Sequence, residues 1–66
     1  MQGLGKRLQA RRKERGLTQD RIAARLIVHR TTYLRYESDQ SEPPLETLCR
    51  IADILSCSTD DLLGRG

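Results

Sequence analysis

The sequence predicts an all-α fold, and three observations carry that expectation. Aliphatic residues recur at three- and four-residue spacing, as in Leu4 and Leu8, Ile22 and Leu26, and Leu48, Ile51, Ala52 and Leu55. Helix start and stop signals punctuate the chain at short intervals, from Gly16 and Thr18 to Ser58 and Gly64. No stretch alternates apolar and polar residues as a half-buried strand does. The 66 residues read as one domain, 1–66, built of five short helices.

The elements follow in order. Leu4 and Leu8 set the apolar stripe of a first helix, and at about 100° per residue Arg12 continues it. Gly16, in "ERG", suits the left-handed position just past the end of that helix. Thr18 is a good N-cap for a second helix, Gln19 to about Leu26, whose Ile22, Ala23 and Leu26 face inward. "IV" leaves only a short turn before a third helix within "VHRTTYLRYE". "SDQSEPP" is a loop whose two prolines suit the start of a fourth helix. Leu45, Leu48, Ile51, Ala52 and Leu55 give that helix a 3.6-period apolar face. Ser58 and Asp61 form an S-x-x-D variant of the capping box, and "TDDLL" is a last helical turn ending at Gly64.

Composition narrows the function. With no Trp or Phe and only two Tyr, the core must be aliphatic. No apolar run approaches membrane-spanning length, and "MQGLGKRLQ" has no apolar signal region, so a cytoplasmic protein is expected. Cys49 and Cys57 are then expected as reduced thiols and small core residues. With one histidine, their spacing matches no zinc pattern, so neither metal nor cofactor is implied. No nucleophile–base pair, paired catalytic carboxylates or phosphate loop is present, so an enzyme is not expected. Charge is segregated. Residues 1–37 hold ten Lys and Arg against three Asp and Glu, net +7, and residues 38–66 hold two against six, net −4. A basic half of this kind points to a polyanionic partner on one side of the molecule.

The third helix indicates which partner. Wound as a helix, "VHRTTYLRYE" places Arg30, Thr31, Leu34 and Arg35 within one arc of roughly 140°. Thr32, Tyr33, Tyr36 and Glu37 fill the opposite arc, where the two tyrosines suit core packing. Two short helices joined by a turn, the second polar on its outer face, describe a helix-turn-helix over about residues 18–37. In that motif the second helix enters the DNA major groove by its N-terminal end. Arg30 and Arg35 can then read guanine edges, Thr31 can bond a base or phosphate, and Leu34 can pack on a thymine methyl. His29 stands at the helix start as a phosphate neighbour.

The stretch from "GLTQDRIAARL" through "RTTYLRYE" and "PPLETLCRIADIL" to "DDLLG" resembles the Cro/repressor-type, or XRE-like, helix-turn-helix family. With "LGKRLQARRKERG" added, the resemblance covers nearly the whole chain. It implies a compact, lambda-repressor-like five-helix domain that binds double-stranded DNA, usually as a homodimer on a two-fold-related operator. By position it implies phosphate contact by Gln19, base reading by Arg30, Thr31 and Arg35, and an internal ion pair between Arg12 and Glu37. Three positions depart from the pattern. Ile27 stands where the family usually has Gly, so a strained turn is expected. His29 replaces the usual Ser or Thr cap. The loop that often grips phosphate carries Asp39 and Glu42, with Asp39 in place of a common Gly, so the grip must come from Arg7, Arg11, Arg21 or Arg25. The leading reading is a small transcriptional regulator, a repressor, and the length favours a stand-alone control protein. The rival readings are an antitoxin, which would add a toxin as partner, and a protein-binding adaptor, which the acidic loop and Ile27 favour slightly.

Overall fold

The computed structural model of the chain describes residues 2–65. Five helices follow in order: α1 (Leu4–Glu14), α2 (Gln19–Leu26), α3 (Arg30–Glu37), α4 (Leu45–Leu55) and α5 (Thr59–Leu63). No strand occurs among the described residues. α3 is held between α1 and α2, while α4 packs on α2 and α5 closes against α1 and α4. The core is aliphatic as expected, built on Leu4, Leu8, Ile22, Leu26, Leu48, Ile51, Leu55 and Leu62. Tyr33 and Tyr36 are buried within it, their rings edge to face at 6.3 Å.

The starts of the helices differ in quality. Thr18 Oγ1 accepts the Arg21 N–H at 3.1 Å, and the Ser58–Asp61 pair closes a reciprocal capping box. His29 caps α3 in extended backbone but contributes no side-chain bond, as its poor capping chemistry predicts.

The five helix ends share one geometry. Each closes with a left-handed residue and two nested backbone bonds, the second running from the next N–H back to the carbonyl five residues earlier. Examples are Leu17 N–H to Arg12, Val28 N–H to Ala23 and Cys57 N–H to Ala52. Glycine fills the left-handed position after α1 and α5, but Ile27, Asp39 and Ser56 fill it after α2, α3 and α4, with φ of 58°, 62° and 54°. A left-handed Ile is a true outlier, because its branched Cβ crowds the carbonyl. The strained turn expected at Ile27 is present, and the side chain gains no burial in return, being 85 % exposed.

Two expectations for α4 need correction. Leu45 is 72 % exposed rather than in the core, and Cys49 is exposed with it. Leu45 lies at the edge of the apolar arc on the first turn, and Cys49 lies one turn further along that edge. Cys57 is half-buried against the core, and burial pushes its thiol above the ordinary value.

Candidate nucleic-acid interface

The site is founded on a buried charge cluster. Arg12, on the inward face of α1, meets Glu37 at the end of α3, with side chains only 9 % and 6 % exposed. Its Nε donates to Oε2 at 2.6 Å, Nη2 donates to Oε1 at 3.2 Å, and Nη1 donates to the Leu17 carbonyl at 2.9 Å. The fork-on-carboxylate geometry also uses the third donor group, which is the condition for tolerating buried ions. Burial alone would push the Glu37 carboxyl up, but Arg12, the nearby Tyr33 hydroxyl and the Gln19 amide together outweigh it and hold the group below the ordinary range. Beside them the Tyr33 hydroxyl is fully buried and makes no hydrogen bond of ordinary geometry. Burial, and the neighbouring Glu37 carboxylate, push this phenol far above its usual value.

Gln19 ties this cluster to the surface. Its Nε2 donates to Glu37 Oε1 at 3.1 Å from the first position of α2. The amide is half-buried, oriented by a buried carboxylate, and lines two adjoining open recesses. The larger, about 550 Å³, runs between α1 and α3 and is lined by Gln9, Gln19, Thr31, Leu34, Arg35 and Gln40, among others. The second, about 400 Å³, lies between the starts of α2 and α3 and includes Asp20 and Arg30. The structure thus brings together Gln19, Arg30, Thr31, Leu34 and Arg35, and His29 is exposed at the same end of α3.

The four arginines nominated for phosphate contact divide. Arg21 and Arg25 are exposed on α2. The Arg7 guanidinium lies against Gly64 and donates to the Gln2 carbonyl at 2.8 Å, beside the end of α5. Arg11 pairs with Glu14 at 3.3 Å and is close enough to Cys57 to act on its thiol. Neither Arg7 nor Arg11 lines either of these two recesses.

Sequence reasoning passed over several residues. Gln9, three positions before Arg12 and hence beside it on α1, lines both recesses. Asp20 Oδ1 meets Arg30 Nε at 2.8 Å, so each of the three acids in the basic half has an arginine partner. Arg15 Nε and Nη2 donate to the carbonyls of Leu55 and Ser56 at 2.8 and 3.3 Å, covering the end of α4. The acidic loop also has an internal use, because Asp39 Oδ1 accepts the Gly5 N–H at 3.0 Å and caps the start of α1.

A family model described as helix-turn-helix matches residues 8–62. The chain is 37 % identical over 62 residues to the HTH-type transcriptional regulator ImmR of Bacillus subtilis, covering 94 % of this chain and 49 % of the relative. It is 42 % identical over 59 residues to the SPbeta prophage-derived regulator YonR of the same organism, covering 89 % and 55 %. It is 41 % identical over 59 residues to the cryptic phage CTXphi transcriptional repressor RstR of Vibrio cholerae, covering 89 % and 53 %. The chain therefore spans about half the length of the curated relatives it matches. No solved structure matches it at a significant level.

Proposed function

Since the chain belongs to the Cro/repressor-type helix-turn-helix family, we propose that it is a sequence-specific DNA-binding transcriptional regulator, a repressor acting as a homodimer on a two-fold-related operator. The observation that carries this reading is the recess-forming face of α3. There Arg30, Thr31, Leu34 and Arg35 stand together beside Gln19, above a buried ion pair that fixes the helix to α1. A helix anchored in this way can present base-reading side chains in the major groove with little reorganisation on binding.

The roles follow from chemistry and position. Arg30 and Arg35 read guanine edges, Thr31 bonds a base or a phosphate, and Leu34 contacts a thymine methyl. Gln19 takes a phosphate through the amide hydrogen not used by Glu37, and Arg21, Arg25 and His29 add to the phosphate grip. The capping role of Asp39 weakens the case for an adaptor that has lost DNA affinity, because it gives one acid of the loop a structural use. The proposed place of action is the cytoplasm. No helix among the described residues is long and apolar enough to cross a membrane.

Binding-site selection from duplex DNA of randomised sequence, repeated at several salt concentrations, tests the reading. An enriched palindrome with half-sites about one helical turn apart, bound more weakly as salt rises, is the expected result. Salt-dependent retention of DNA with no enriched sequence would overturn the sequence-specific reading.

A further inference from the structure

Arg30 is not a free cation in this protein. Asp20, in the first turn of α2, approaches its Nε at 2.8 Å from across the turn. Both side chains are largely exposed, so in water the pair adds little to folding stability. It lies in the recess that also holds Gln19 and Gln9, at the junction of α2 and α3.

We propose that Asp20 is a positioning residue that determines specificity through Arg30, an inference that rests on α3 being the base-reading helix. A guanidinium has five donors on two usable edges, and it can turn to a phosphate oxygen as readily as to a base. Phosphate contact carries no sequence information. With the Asp20 carboxylate held against Nε as an ion pair, that side of the guanidinium is screened from other anions and the Nη1–Nη2 end remains open. That end matches guanine N7 and O6, two coplanar acceptors. The carboxylate also repels neighbouring phosphates, so non-specific DNA is disfavoured while a guanine in the groove is not. Displacement of water at the interface strengthens the pair that is weak in the free protein.

The test is selection from a randomised duplex library with the wild-type protein and with Asp20→Ala, Asp20→Glu and Arg30→Ala, after thermal melting has shown that each variant folds. Affinity for the enriched duplex and for a random duplex is then measured. Arg30→Ala is expected to relax base preference at one position per half-site. Asp20→Ala is expected to relax the same position by about threefold to tenfold, with affinity for random duplex unchanged or higher. Asp20→Glu, which restores a carboxylate, is expected to recover part of that preference. If Asp20→Ala strengthens both duplexes by one factor and leaves every preference intact, Asp20 is only a repelling charge and the proposal fails. If Arg30→Ala itself changes no preference, base reading by Arg30 fails first. Relaxation by Arg30→Ala alone overturns only the role of Asp20.

Discussion

The Asp39 carboxylate accepts the backbone N–H of Gly5 across 34 positions of sequence. α1 begins at a left-handed Gly3 without a side-chain cap of its own, so the loop after α3 supplies one. At the same point α1 and α3 approach so closely that a Cβ on Gly5 would overlap the Glu37 carbonyl. Asp39→Ala loses the cap and keeps the strained φ, whereas Asp39→Gly loses the cap and relieves it. Alanine is therefore expected to destabilise more than glycine, by about 1 kcal/mol, as read from urea midpoints. Gly5→Ala is expected to cost about 1–3 kcal/mol or more, since backbone rather than a flexible side chain must move.

The Arg12–Glu37 pair gives a prediction with a pH signature. Glu37→Gln strands a buried guanidinium, and a loss of about 3–5 kcal/mol is expected in denaturant unfolding. The folded carboxyl titrates below its ordinary value of 4.5. Its contribution is therefore fully present above that value and is lost as pH falls through the lower folded value. The stability gap between wild type and Glu37→Gln should be constant near neutrality and narrow as pH drops below the ordinary glutamate value. A gap that widens on acidification would contradict this assignment.

Tyr33 separates packing from polarity. Its ring is wholly buried, so Tyr33→Ala is expected to cost about 3–5 kcal/mol. Its hydroxyl is buried without a hydrogen bond, so Tyr33→Phe is expected to leave the thermal midpoint unchanged or raise it. A clear loss on Tyr33→Phe would show that the hydroxyl bonds the charge cluster after all.

Ile27→Gly is expected to stabilise. Relief of a left-handed branched residue is set against the extra freedom glycine brings to the unfolded chain, leaving about 0.5–1 kcal/mol. The side chain is too exposed for much burial to be lost. Calorimetric melting of the two proteins decides the sign.

Arg35 and Arg25 distinguish reading from gripping. Arg35→Ala should cost about 1–3 kcal/mol on the selected duplex and relax one base pair per half-site, with little change on random duplex. Arg25→Ala should weaken all DNA alike and flatten the slope of log K against log salt by about one unit per monomer. Equal losses on selected and random duplex for Arg35→Ala would make that arginine a backbone clamp.

Local signals made most of the architecture legible. Thr18, Gly16, Ser58 and Gly64 act at helix termini through neighbours one turn away, so their roles could be read from spacing. The Arg12–Glu37 pair was legible through the family resemblance, which the place of Arg12 on the apolar stripe and of Glu37 on the inward arc supports. Asp39, Arg15 and Asp20 were not, because each finds its partner across a tertiary contact that no periodicity encodes. Leu45 misled for the opposite reason: its spacing fits the stripe, but burial at the edge of an arc depends on what packs there. Arg7 and Arg11 show that net charge locates a basic half of the sequence, while the packing of α1 on α5 decides where each guanidinium lies.

The attachments of α1 bear on the order in which the molecule completes itself. This helix is made before the other four, yet its N-terminal cap arrives with Asp39, the acid for Arg12 with Glu37, and the carbonyl acceptors of Arg15 with Leu55 and Ser56. A helix of 11 residues is marginal by itself in water, so α1 cannot be settled while those later segments are still unsynthesised. α1 is thus made before the segments that secure it, and a nascent chain halted before α4 ends would hold α3 against an unfinished support.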